Sequence, residues 1–167
     1  MRHLYKIFDL PDLAATMASL RSAGASTALA HGCFDILHLG HVRHLGRARE
    51  LCDFLAVTVT PDRFVGKGPH RPVFTAAQRA EVLAALAVVD AVAVNMWPTA
   101  VQTIRLLAPV IYVKGAEYEK LAEDQTTDMA AETAACEEAG GRVEYIDEVV
   151  FSSSSLAQLF YAPLVGG

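Results

Sequence analysis

The 167-residue chain is 53% hydrophobic and 20% charged, a globular balance whose length suits one domain with a core that needs no disulfide or structural metal. Nineteen acidic residues against fourteen lysines and arginines give a net charge of −5, which argues against a nucleic-acid partner and leaves room only for a local basic pocket. No apolar run approaches the roughly 20 residues of a membrane span, and Cys33, Cys52 and Cys136 lack C-x-x-C spacing, so a cytoplasmic protein with reduced thiols and no membrane partner is expected.

In chain order, Leu13, Met17 and Leu20 have helical spacing and predict a leading helix over Asp12–Ala23, closed by Gly24. Thr27–His31 is a short apolar strand, followed after a turn by a helix over Gly40–Leu51. Phe54–Thr60 is almost continuously apolar, as in a strand covered on both faces, and a long basic loop, Asp62–Phe74, follows it. Thr75 and Gln78 have capping-box spacing and open a helix to about Ala87. Ala91–Val94, Thr99–Leu107 and Val110–Val113 read as strand, helix and strand; Asp128–Ala139 is a helix closed by Gly140-Gly141, and Arg142–Ile146 is a last strand. This alternation predicts an α/β fold, a doubly wound parallel sheet sandwich of Rossmann-like type, as one domain over residues 1–167 with its core at about 26–160.

In such sheets ligands bind beyond the carboxyl ends of the strands, where strand order reverses. The stretch "HGCFDILHLGH" (31–41) follows the first of these strands and opens a helix. A helix N-terminus offers free N–H groups to an anion, most often a phosphate, and His38 and His41 at this spacing flank it, with Gly40 admitting a ligand close to the backbone. Shuffled chains of this composition would contain H-x-G-H about one time in seventy. Neither G-x-G-x-x-G after the strand nor a P-loop is present, so the phosphate grip is of another kind.

Two other readings stand beside this one. His31, Cys33, His38, His41 and His44 are metal-ligand types that would suit a metal-dependent hydrolase, although His38, His41 and His44 step by three and diverge around a helix. A non-catalytic nucleotide sensor or scaffold on the same fold is the other, because fold does not fix function.

Gly32-Cys33-Phe34-Asp35-Ile36-Leu37-His38-Leu39-Gly40-His41 resembles the signature of the cytidylyltransferase-like nucleotidyltransferases. The resemblance runs from about Lys6 to Phe160 and is nearest to the adenylyltransferase domain of ADP-heptose synthases, with glycerol-3-phosphate cytidylyltransferase next. Three further blocks carry it: "GKGPHRPVFTAAQRAEVLAAL", "VKGAEY" and "FSSSSLAQLF". Glu117 stands where the family commonly has aspartate, and no basic residue follows Arg142 where relatives often carry one in the late helix.

The resemblance implies transfer of an NMP group from ATP or CTP to a phosphorylated sugar or polyol, with release of pyrophosphate. It assigns His38, His41 and Lys67 to catalysis, and Gly32, Phe34, Asp35, Gly40, Lys114, Gly115, Glu117, Ser153, Ser154 and Ser155 to the nucleotide. Asp62, Arg71 and Arg79 are assigned to the acceptor. Cys33 is placed outside the site. Mg²⁺ is the expected cofactor, bound mainly through substrate phosphates and with no dedicated protein ligand set. A homodimer is the assembly expected on general grounds.

Overall fold

The continuously apolar strand runs require cover on both faces, and the computed structural model, which describes residues 3–147, supplies it. In chain order the elements are β1 (Ile7–Phe8), α1 (Leu10–Ser22), β2 (Thr27–Gly32), α2 (Leu39–Glu50), β3 (Phe54–Val59), α3 (Ala76–Ala84), β4 (Ala91–Val94), α4 (Val101–Leu107), β5 (Ile111–Gly115), α5 (Glu119–Ala122), α6 (Asp128–Glu138) and β6 (Arg142–Ile146). All strand pairs are parallel, in the order β1-β4-β3-β2-β5-β6. This is the doubly wound sheet that the alternation of elements predicts.

Because side chains alternate along a strand, the sheet has two cores. On one face Ala28, Leu55, Val57 and Val113 pack with Leu45 of α2 and Leu83 of α3. On the other, Leu29, Ala56, Ala93 and Tyr112 pack with Leu13 and Met17 of α1, Ile104 and Leu107 of α4, and Cys136 of α6. From β2 the chain builds outward through β3 and β4, then crosses the opposite face through α4 to β5 on the other side of β2. The order therefore reverses between β2 and β5, and a crevice opens beyond their carboxyl ends.

Several boundaries differ from the sequence expectation for identifiable reasons. The leading helix begins at Leu10 rather than Asp12, because Asp9 caps it by accepting from the Asp12 amide and Pro11 fits the first turn, where its missing N–H costs nothing. The third predicted helix ends at Ala84, not near Ala87, and the next begins at Val101 rather than Thr99. There the buried Asn95 side chain donates to the Trp97 and Thr99 carbonyls and holds a turn. The strand β1 and the four-residue α5 are too short to leave a periodic signature. No helix among the described residues is long and apolar enough to cross a membrane.

The capping box of α3 forms as its spacing predicts: Thr75 Oγ1 accepts from the Gln78 amide at 3.3 Å, and Gln78 Oε1 accepts from the Thr75 amide at 3.0 Å. Thr75→Ala removes one half of that exchange and is expected to destabilise the protein by about 1 kcal/mol. Urea unfolding followed by circular dichroism measures this, and an unchanged midpoint would contradict it.

Candidate active site

The crevice is a cavity of about 310 Å³, at the lower end of the range typical of small-molecule sites. Its walls come from the ends of β2 and β5, the first turns of α2 and the loop after β3. Of the residues assigned from sequence, Gly32, Phe34, Gly40, His41, Lys67, Lys114, Gly115 and Glu117 line it. Ser153, Ser154 and Ser155 lie outside the described residues.

At the start of α2, His38 is the N-cap residue, and its Nδ1 accepts from the Gly40 amide at 3.1 Å. That bond fixes the neutral tautomer with its proton on Nε2, which leaves Nε2–H as the free donor. His41, one turn on, stacks against His38 with ring centroids 3.9 Å apart. Burial, followed by the neighbouring His38 and Lys67 and then His44, lowers the His41 pKa to about 4. Burial and Lys67 lower His38 as well. Both imidazoles are therefore neutral at pH 7, and two stacked rings avoid mutual charge repulsion.

The turn before α2 is shaped by Phe34, a non-glycine residue at φ 48° whose left-handed conformation costs on the order of 1–2 kcal/mol. Its buried ring meets the His41 ring edge-on at 5.3 Å. The same ring lies so close to Gly32 that a Cβ there would come within 3.1 Å of it. Gly32 is small because Phe34 must fold back over it to hold His41.

Three residues assigned to ligands serve the walls instead. Asp35 is buried; its carboxylate takes the Arg71 guanidinium Nε on one oxygen and the Val73 and Phe74 amides, at 2.7 and 3.2 Å, on the other. Arg79 was assigned to the acceptor, yet it is only 2% exposed. Its guanidinium donates to the carbonyls of Phe74 (3.0 Å), Thr60 (2.7 Å) and Cys33, and to the Asp62 carboxylate (2.6 Å). Arg79 and Asp62 thus tie the ends of β2 and β3 to the loop before α3, and neither lines the cavity. Arg71 keeps its Nη2 buried without a partner among the described residues.

The cavity also contains residues that the sequence assigned to neither nucleotide nor acceptor. His31 donates or accepts at the Thr58 and Thr60 hydroxyls, 3.0 and 3.4 Å away, and its pKa falls to about 4 through burial, with Lys114 adding to the effect. Cys33, placed outside the site from sequence, lines it, and burial raises its thiol pKa. His44, Thr60, Val113, Tyr118 and Ile146 complete the walls. Strand alternation would have exposed His31: it lies two residues beyond core Leu29, at the strand's carboxyl end, where a polar residue meets ligand or a polar partner. Among the described residues no group of three or more His, Cys, Asp or Glu is arranged to hold a metal ion.

The family model described as cytidylyltransferase-like matches residues 29–158. The bifunctional protein HldE of Mesorhizobium japonicum is 41% identical over 155 residues, 92% of this chain and 30% of the relative. Its namesake from a Bradyrhizobium strain is 42% identical over 138 residues, 81% of this chain and 27% of the relative. The chain thus spans about 30% of the length of the curated relatives it matches. A solved structure, the lipopolysaccharide core biosynthesis protein from Thermoplasma volcanium, superposes with a TM-score of 0.60 at 27% identity, covering 77% of this chain and all of that one.

Two consequences can be measured. Arg79→Met leaves three carbonyls without their donor and is expected to cost about 3–5 kcal/mol; Arg79→Lys, which cannot reproduce the fork, is expected to recover only part. Denaturant unfolding of both variants decides this, and a loss below about 1 kcal/mol would contradict the bracing role. The second concerns pH. Unfolded histidines titrate near 6.5 and the folded His31 and His41 near 4, so in between the unfolded chain binds more protons. Their contribution is complete above about pH 6.5 and is lost as the pH falls towards 4. The urea midpoint should fall over that window, and less steeply in His31→Asn; an equal slope in both proteins would contradict the His31 shift.

Proposed function

The chain belongs to the cytidylyltransferase-like family of nucleotidyltransferases, and on that premise we propose that it transfers the AMP group of ATP to a phosphorylated sugar of the heptose 1-phosphate type. The observation that carries the reading is the neutral, stacked His38–His41 pair at the start of α2, beside Lys67, at the strand-order reversal. A cavity so built offers aligned N–H donors and an exposed cation, Lys67, to a triphosphate.

In the proposed reaction an acceptor phosphate oxygen attacks the α-phosphorus, a new O–P bond forms, the bond to the β-phosphate bridging oxygen breaks, and pyrophosphate leaves with that electron pair. A phosphate monoester has a second pKa near 6, so the nucleophile is already largely ionised at pH 7 and needs no strong base. The remaining demands are alignment and charge stabilisation. His38 Nε2–H and the His41 ring donate to the α-phosphate region, Gly40 lets its oxygens approach the remaining free amides at the start of α2, and exposed Lys67 follows the leaving pyrophosphate.

Asp35 and Asp62 are committed to arginines, so Glu117 is the assigned carboxylate that also lines the cavity. A Mg²⁺ held chiefly by the phosphates, with Glu117 beside it, fits this donor set and would supply charge neutralisation on the triphosphate. Arg71, with a guanidinium nitrogen to spare, is the better candidate than Arg79 for the acceptor phosphate. ATP and a heptose phosphate are favoured by the resemblance to the adenylyltransferase domain of ADP-heptose synthases; CTP with glycerol 3-phosphate is the alternative pair.

Pyrophosphate release tests the reading, with Mg²⁺, ATP or CTP, and heptose 1-phosphate or glycerol 3-phosphate in all four pairings. Release that depends on both substrates is expected, and His41→Ala should lower turnover by about 10²–10³ through loss of one preorganised donor. Wild-type turnover in a folded His41→Ala protein would remove His41 from the chemistry, and nucleotide binding without release in any pairing would favour a non-catalytic role.

A further inference from the structure

Glu132, on α6, is 5% exposed, and its carboxylate is saturated by three groups from two other parts of the fold, β5 and the start of α4. Oε1 accepts from the Ala100 amide at 2.9 Å; Oε2 accepts from the Tyr112 hydroxyl at 2.7 Å and faces Lys114 Nζ at 3.1 Å. Burial opposes its ionisation, but Lys114, the Tyr112 hydroxyl and the Ala100 amide together hold its pKa below the ordinary carboxylate value. Lys114 is in turn confined: its ammonium lies 4.9 Å from the Tyr118 ring centroid and 5.4 Å from that of Tyr112.

Lys114 nevertheless lines the cavity, on the wall formed by the end of β5, whereas Lys67 and His41 line it from the loop after β3 and from α2, with His38 stacked on His41. An ammonium has three N–H donors, and Glu132 takes one. What Lys114 offers at that wall, beside the Glu117 carboxylate, is donor capacity with its own charge cancelled. A free lysine there would attract phosphate as strongly as Lys67 does; a neutralised one still binds hydroxyl, carbonyl or ring-nitrogen acceptors but gives a polyanion no net Coulomb gain.

We propose that Glu132 is a positioning residue that fixes and neutralises Lys114, so that the β5 wall receives the uncharged nucleoside end of the nucleotide and leaves the triphosphate to the His38–His41–Lys67 wall. This rests on the nucleotidyltransferase reading above. It differs from a purely structural buried ion pair, which would affect all ligands alike through stability.

Glu132→Gln is close in shape and keeps one oxygen to accept from the Ala100 amide while its amide nitrogen donates to the Tyr112 hydroxyl oxygen, but it no longer cancels the Lys114 charge. Calorimetric titration with ATP, CTP and inorganic tripolyphosphate, each with Mg²⁺, compares the two ends of the ligand. For whichever nucleotide wild type binds, the Kd is expected to rise about tenfold or more in Glu132→Gln, while that for tripolyphosphate stays within about threefold or tightens. Should Glu132→Gln not fold, Lys114→Met carries the comparison from the other side, because it removes the donors that Glu132 positions. Where both fold, the double variant should bind the nucleotide no more weakly than Lys114→Met alone. Equal losses for nucleotide and tripolyphosphate, or no loss for either, overturn the proposal while leaving the nucleotidyltransferase reading intact. A wild type that binds neither nucleotide overturns both.

Discussion

The site depends most on a guanidinium that never enters it. Arg79 sits on α3, yet through one planar group it holds the carbonyl that follows β2, the carbonyl that follows β3, and the loop just before its own helix. The edge of a parallel sheet has no strand bond left to offer these carbonyls, and a buried carbonyl without a donor costs about 1–3 kcal/mol. Arginine suits the place because five donors in a rigid fork serve several acceptors at once, and Asp62 offsets the buried charge. Asp35 makes the reciprocal brace, reaching from the turn after β2 to Arg71 and the amides of Val73 and Phe74. With both braces in place, the turn carrying Phe34 and the histidines is anchored to the loop that carries Lys67.

Those braces also explain why the strained Phe34 conformation persists. A left-handed phenylalanine is retained only where its surroundings leave it no alternative. Here its carbonyl-side neighbour Asp35 is pinned by three donors, its preceding neighbour Cys33 is pinned by Arg79, and its ring is trapped between Gly32 and His41. The benefit appears at His41, whose ring is clamped between Phe34 and His38 and kept neutral by burial. A donor held in place before ligand arrives has no reorganisation to pay for at the moment of reaction.

Much of this was legible in the sequence where the signal is local. Apolar runs such as Phe54–Thr60, the Thr75–Gln78 capping box and the placement of H-x-G-H between a strand and a helix each depend on residues a few positions apart. What stayed hidden depends on partners far along the chain. Arg79 in an amphipathic helix reads as an exposed charge, and only its meeting with Cys33, 46 positions away, shows it buried. Asp35 belongs to the motif but points back into the fold. Glu132, in an Ala-rich helix, carries nothing in its own neighbourhood to mark it as the partner of Lys114 on β5.

The two walls of the crevice follow from the topology. The reversal between β2 and β5 brings together one strand end backed by α2 and another backed by α6, and the two layers are chemically unlike. On the α2 side a helix N-terminus adds its partial positive charge to Lys67 and the imidazole N–H groups, so that wall favours anions. On the α6 side, positive Lys114 meets a buried carboxylate, and β2 contributes a neutral His31 hydrogen-bonded to two threonines. A nucleotide is itself divided this way, with charge at one end and neutral acceptors at the other. A crevice whose walls differ in charge but both offer donors fixes the orientation of such a ligand before any base-specific contact is made.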